Sequence, residues 1–196
     1  MIYLLRHGQT DYNAEGRLQG QLESTLTALG EAQVRAMAQV LKAEIADVSG
    51  WRILASPLRR TRQSAAIVSD VLGLPVEIAP PLIEVGCGAW EGRLYADVRA
   101  ETPEDFNARD WFFRAPGGER FEDMAARIDP WLATLPPEPE RRLILVAHGI
   151  SGVMVRRAYL GLTREQAFEL DTPQDALFRL SGGAMTRLTC PPVTAP

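Results

Sequence analysis

Leu4-Leu5-Arg6-His7-Gly8 is the stretch from which the fold is read. Met1 to Leu5 is an apolar run of strand type, and it breaks abruptly into a guanidinium, an imidazole and a glycine. The pattern returns near the other end, where Leu143-Ile144-Leu145-Val146-Ala147 runs into His148-Gly149. The chain has 2 histidines among 196 residues, and each follows such a run and precedes a glycine. Neither run alternates polar with apolar residues, which marks strands covered on both faces. In open α/β sheets the ligand crevice lies beyond the carboxyl ends of parallel strands. Two such strands side by side would therefore bring His7 and His148 together at one sheet edge.

Between the two runs, strand and helix patterns alternate. Gln9 to Ser24 is polar and reads as a loop over the first strand end. Thr27 caps a helix carrying Leu29, Ala36, Met37, Val40 and Leu41 at helical spacing. Arg52 to Ala55 is a short strand. Ser56 and Pro57 read as N-cap and first residue of a helix that stops at Gly73. Pro75 to Ala79 is a third strand, Leu82 to Gly92 a glycine-rich loop, and Tyr95 to Phe113 short helices around Pro103. Phe121 to Leu135 is an amphipathic helix, and Pro136 to Glu140 an exposed linker. After the second core strand Ser151 reads as a cap, with its helix ending near Gly161. Thr163 and Gln166 have capping-box spacing. Ala176–Leu180 and Met185–Thr189 form an edge hairpin through Gly182-Gly183, and Cys190 to Pro196 is a loose tail. The expected fold is a single domain, 1–196, built as a three-layer α/β/α sandwich on a mainly parallel central sheet.

Composition narrows the function. A net charge of -4 argues against a general nucleic-acid or membrane-surface binder. Lys42 is the only lysine; the other cations are arginines, which suit bidentate phosphate recognition, although a GC-rich coding sequence accounts for most of that bias. Cys87 and Cys190 form neither a disulfide framework nor a metal spacing. No secretory leader or transmembrane run is read, and a cytoplasmic location is expected.

The chemistry gathers at the strand ends. Neutral His7 is a nitrogen nucleophile, Arg6 beside it can face the same anion, and Gly8 lets the backbone approach closely. Asn13 and Gln19 can donate amide hydrogens from the following loop. In Ser56-Pro57-Leu58-Arg59-Arg60, arginines in a first helical turn oppose the helix dipole, which a bound anion would relieve; solvated surface arginines are the other reading. Glu84, set among apolar residues, would favour its protonated form on partial burial, as a general acid requires, or else be a loop carboxylate in water. Gly86 to Gly92 imitates a dinucleotide fingerprint with the wrong spacing. Two distant histidines without a third ligand make a poor zinc site.

Leu5-Arg6-His7-Gly8-Gln9-Thr10 with Asn13, followed by Gly16-Arg17-Leu18-Gln19-Gly20, resembles the signature of the histidine phosphatase (phosphoglycerate mutase-like) superfamily. The similarity continues through Leu26 to Gly30, Ser56-Pro57-Leu58 with Arg60, Leu82 with Glu84, Gly88 to Gly92, Pro116 to Glu119 and Val146 to Gly149. The resemblance implies His7 as the nucleophile that becomes phosphohistidine. It further implies Arg6, Arg60 and His148 as the phosphoryl clamp, with Asn13, Gln19 and Gly149 as substrate-binding residues. Glu84 would be the proton donor, and no metal or cofactor is implied. It selects Arg60 over Arg59. Arg120, Ser64 and Tyr12 depart from common family residues without touching the central five.

The implied activity is phosphomonoester hydrolysis of a small phosphorylated metabolite, by a monomer or homodimer. The alternatives are a phosphoglycerate mutase, an α-ribazole or sugar-bisphosphate phosphatase, and a non-catalytic phosphate binder. Substrate choice is expected in Arg93–Arg120. There Trp111, Phe112 and Phe113 could cover the pocket and Arg109, Arg114 or Arg120 hold a second anion. Core aromatics and surface arginines are an equal reading.

Overall fold

A computed structural model describes residues 1–193. In chain order the elements are β1 (Ile2–Arg6), α1 (Asp11–Glu15), α2 (Ala28–Glu44), β2 (Arg52–Ala55), α3 (Arg59–Leu72), β3 (Val76–Ile78), α4 (Tyr95–Glu101), α5 (Phe121–Ala133), β4 (Leu143–Ala147), α6 (Gly149–Leu160), α7 (Arg164–Ala167), β5 (Ala176–Ser181) and β6 (Ala184–Thr189). The sheet order is β3-β2-β4-β1-β5-β6. The first four strands in that order run parallel; β5 is antiparallel to β1, and β6 is antiparallel to β5.

The unbroken apolar character of β1 and β4 follows from their central place. Ile2, Leu4, Leu143 and Leu145 pack with Met124, Ile128 and Met154 of α5 and α6. Tyr3, Leu5, Ile144 and Val146 face the other way, onto Val34, Met37 and Leu41 of α2 and Val68 of α3. Two helical layers thus enclose the sheet, giving the three-layer architecture. The chain leaves β1 toward α2 on one face and leaves the adjacent β4 directly into α6 on the other. Such a divergence opens a crevice at the carboxyl ends of the two strands. The register sets Arg6 opposite Ala147, and His7 N–H donates to Ala147 O at 3.0 Å. The two histidines therefore stand level.

Several local expectations are corrected. α3 begins two residues later than the Ser-Pro signal suggests, with Leu58 as an N-cap that makes no side-chain bond. The Ser56 hydroxyl is engaged instead by His148. His148, not Ser151, is the N-cap of α6; Ser151 lies three residues in and accepts from His148 N–H. The loop after β1 contains α1, capped reciprocally by Thr10 and Asn13. Of the expected edge hairpin only β6 lies at the sheet edge, because β5 pairs with β1; β3 forms the opposite edge. Glu138 in the expected linker is tied down by Arg141, Tyr159 and the Gly182 N–H, which with the nearby charges hold its carboxyl at about 2. Cys190 is buried and its N–H bonds Asp175 O, so the tail is anchored at its start; residues 194–196 lie outside the described ones.

Gly8 has a packing role. A Cβ there would lie 2.1 Å from the Gly30 carbonyl oxygen, and one on Gly30 would lie 2.0 Å from Gln9 O. The end of β1 and the start of α2 therefore touch backbone to backbone. Gly8→Ala should lower stability by about 1–3 kcal/mol or more, since neither side of the clash is a flexible side chain. Displacement of His7 should accompany it. An unchanged urea midpoint would show that the two backbones are not locked together.

Candidate active site

His7 lies immediately beyond β1, 2 % exposed. Its Nδ1 is 2.7 Å from Gly8 O. A carbonyl can only accept, so that contact puts the ring proton on Nδ1 and leaves the Nε2 lone pair free. His148 lies beyond β4, its ring centroid 5.2 Å from that of His7. Its Nδ1 accepts from Arg60 Nε at 3.1 Å, so Nε2 carries the proton and meets Ser56 Oγ at 2.7 Å. In this arrangement His148 has no N–H free for a ligand and orients Arg60, so its part in the implied phosphoryl clamp is indirect.

Arg60 enters from the first turn of α3 and is 1 % exposed. Besides His148 it donates to Gly20 O and Leu22 O, each at 2.7 Å. Arg6 donates from Nη1 to Thr172 O at 2.6 Å, while its buried Nε has no partner. Both guanidiniums thus meet only neutral acceptors, Arg6 incompletely, with no carboxylate in salt-bridge contact among the described residues. Burial lowers the pKa of each, with Glu84 opposing the shift.

Glu84 comes from the loop after β3. Its carboxylate accepts from Ile150 N–H at 3.1 Å, Ser151 N–H at 2.9 Å and Val85 N–H at 3.0 Å. The expected apolar surroundings are therefore replaced by backbone donors at the amino end of α6. Gly149 stands between Arg6 and Glu84, since a Cβ there would lie 3.7 Å from Arg6 Nε and from Glu84 Oε2. Asn13 Oδ1 accepts from Thr10 N–H and Gln174 Nε2, and Gln19 Oε1 accepts from Thr10 and Ser24 hydroxyls. Each amide is anchored through its oxygen, which leaves its NH₂ free toward the pocket.

These groups line one cavity of about 180 Å³, which includes Arg6, His7, Asn13, Gln19, Arg60 and Glu84. Trp111 and Phe112 line it too; Phe113 and the arginines at 109, 114 and 120 do not. His148 is set behind Arg60 rather than on the cavity wall. A larger cavity of about 640 Å³ lies elsewhere, around Asp129, Glu138, Arg141 and Arg157. Its arginines are bridged by carboxylates and it holds no histidine.

Some contributors carry no local sequence signal. Thr172 and Gln174 hold Arg6 and the His7 carbonyl from the loop before β5. Arg127 of α5 binds the Glu119 carboxylate, Pro81 O and Glu84 O, while Glu119 accepts from Gly86 N–H. The pair braces both sides of Glu84. Glu119 belongs to the Pro116–Glu119 motif, but its partner could be found only in three dimensions.

Burial, then the neighbouring Arg6 and Arg60 charges, hold the His7 imidazole well below its ordinary 6.5. His148 is lowered too, by burial, Arg60, His7 and Arg6. Both are neutral at neutral pH. Because the unfolded chain takes up these protons first, folding stability is full above about 6.5 and falls as pH drops below it. The slope reaches about 1.4 kcal/mol per pH unit for each histidine. Urea unfolding at pH 8 and 5.5 should show this loss, and a His7→Gln/His148→Gln variant should flatten it. Equal stability of the parent at both pH values would contradict neutral, buried imidazoles.

One neutral imidazole and two buried guanidiniums beside a carboxylate, with a second neutral imidazole behind Arg60, make a pocket suited to a phosphoryl group. Residues 2–184 match the family described as the histidine phosphatase superfamily (branch 1). The chain is 37% identical over 159 residues to a glucosyl-3-phosphoglycerate phosphatase of Mycobacterium tuberculosis (strain CDC 1551 / Oshkosh), covering 76% of this chain and 70% of that one. It is 37% identical over 168 residues to a probable phosphoglycerate mutase GpmB of Enterobacter sp. (strain 638), covering 82% and 75%. Among solved structures, a mycobacterial glucosyl-3-phosphoglycerate phosphatase complexed with VO3 aligns with TM-score 0.77 at 33% identity, over 91% of this chain and 90% of that one. The α-ribazole phosphatase of Shigella flexneri aligns with TM-score 0.77 at 26% identity, over 96% and 95%. The chain belongs to the histidine phosphatase superfamily, branch 1, and is a phosphatase of that family. Among the described residues, no helix is long and apolar enough to cross a membrane.

Proposed function

We propose that the chain is a metal-independent phosphomonoester hydrolase that works on a small phosphorylated metabolite through a phosphohistidine on His7. The observation that carries this is the pair of buried arginines around a neutral imidazole with a free Nε2. Buried charge without a matching carboxylate is costly, and a tetrahedral dianion would supply both the charge and the missing acceptor for Arg6 Nε.

In the first step the His7 Nε2 lone pair attacks phosphorus and the ester P–O bond breaks. Glu84 enters this step protonated; its proton passes to the departing oxygen, the alcohol is released, and the carboxylate so formed is the state held by the three backbone N–H groups. The ring retains its Nδ1 proton on Gly8 O, which stabilises the cationic phosphoimidazole. In the second step Glu84, now a carboxylate, takes a proton from water. The water oxygen attacks phosphorus, the P–N bond breaks, and orthophosphate and neutral His7 result. Arg6 and Arg60, with the Asn13 and Gln19 amides, meet the charge on the equatorial oxygens in both steps. His148 and Ser56 fix Arg60, and Arg127 and Glu119 fix Glu84. A solved relative, a mycobacterial glucosyl-3-phosphoglycerate phosphatase, is described in complex with inorganic phosphate, which supports an anion-holding pocket.

Hydrolysis of 4-nitrophenyl phosphate in EDTA, with an acid-labile, base-stable phosphoenzyme trapped during turnover, is the test. Release of phosphate is expected; isomerisation of 3-phosphoglycerate without release would favour a mutase. Glu84→Gln keeps the shape but removes the transferable proton. It should slow turnover of alkyl phosphates by roughly 10²–10⁴, and much less for 4-nitrophenyl phosphate, whose leaving group needs no proton. Equal slowing of both would remove Glu84 from the donor role.

A further inference from the structure

This inference rests on the hydrolase reading and concerns the leaving group. Beyond its phosphoryl end, the pocket wall is Leu18, Val85, Trp111, Phe112 and Ile150. The one further lining cation is Arg17. Its Nε lies 2.6 Å from the Glu15 carboxylate and its Nη1 donates to Gly92 O at 2.9 Å, so its charge is already matched. None of the arginines of the 93–120 segment lines the pocket: Arg93 pairs with Glu101, Arg109 with Glu169 at 3.8 Å, Arg114 with Asp105 at 3.9 Å and Arg120 with Glu122 at 3.8 Å, and Arg99 lies on the exposed side of α4. Trp111 is held in place by stacking on Phe106 at 4.5 Å and by edge contacts with Tyr95 and Phe112, each at 5.4 Å. The outer half of the pocket is thus a fixed aromatic and aliphatic surface with no spare positive charge.

We propose that the chain's substrate is a phosphate monoester with a single anionic group, whose uncharged leaving group lays a flat or apolar face against Trp111 and Phe112. A second phosphate or a carboxylate on the leaving group would lose its water against these walls without gaining a cation. An apolar face would instead gain burial and aromatic contact. Trp111 is then a specificity-determining residue rather than a catalytic one.

The test compares kcat/KM of the parent protein for benzyl phosphate, 3-phosphoglycerate and fructose 1,6-bisphosphate. All three leave as alcohols, so recognition dominates over intrinsic reactivity. Benzyl phosphate is expected to be preferred over the other two by about tenfold or more. Trp111→Ala should raise KM for benzyl phosphate by about tenfold while acting little on kcat, as loss of uniform binding does, and Trp111→Phe should restore most of it. Preference for either multiply charged substrate overturns the proposal, and so does a kcat loss in place of the KM rise. The parent-protein comparison stands even if Trp111→Ala does not fold. Failure of the parent to form an acid-labile phosphoenzyme from acetyl phosphate, together with no hydrolysis of any ester, would instead sink the hydrolase reading on which the proposal rests.

Discussion

His7→Ala is expected to abolish turnover, with kcat falling on the order of 10⁵–10⁶, as when the nucleophile of a covalent hydrolase is removed. The size of the effect follows from the site's economy. No second nucleophile can substitute: the Cys87 thiol lines the same cavity, but burial and nearby Glu84 push it up to about 12, so it stays protonated. His148 has both nitrogens committed to Arg60 and Ser56. The fold should survive, because the cost is one buried side chain at a strand end. The decisive measurement is phosphoenzyme yield after acid-free quenching, alongside a thermal melt. A variant that folds, carries no label and keeps more than a trace of activity would end the covalent mechanism. Retention of label would move the nucleophile to another residue.

Arg6→Met is expected to separate activity from stability. Loss of one prearranged cationic donor should cost roughly 10²–10³ in kcat/KM. Stability should hold or rise. The Arg6 guanidinium is buried with Nε unpartnered and only the Thr172 carbonyl as acceptor. Replacing such a charge by an apolar chain of similar length removes a desolvation cost. Phosphate should stabilise the parent by about 2.7 kcal/mol at a hundred times its Kd, and the variant much less. Melts of both proteins with and without phosphate check each part. A variant that is several degrees less stable in phosphate-free buffer would show that Arg6 is structural cement rather than an anion receptor.

What could be read from the chain alone follows from how local each signal is. The runs before His7 and His148 are contiguous and apolar, and such runs belong to central strands wherever they fall; their pairing followed from that. Gly73 and the Thr163–Gln166 box are equally local and end or begin helices as expected. Ser56 shows where local reasoning stops. A serine before a proline is a good cap by itself, yet its hydroxyl is claimed by an imidazole 92 positions away. The same holds for the amides that greet Glu84 and for Arg127 behind it. At 109, 114 and 120 the reverse occurred, since arginine types that suit an anion were drawn off by nearby carboxylates.

The central strand pair has a kinetic corollary. Ile2 lies beside Leu143, so the innermost seam of the sheet joins the two ends of the folding problem. The catalytic groups sit on that seam. No partly folded species that lacks the β1–β4 junction can hold a phosphoryl group. In refolding, enzyme activity should therefore return with the slowest cooperative phase, behind any early burst of helical signal, because long-range parallel pairing is the step that chain entropy delays most.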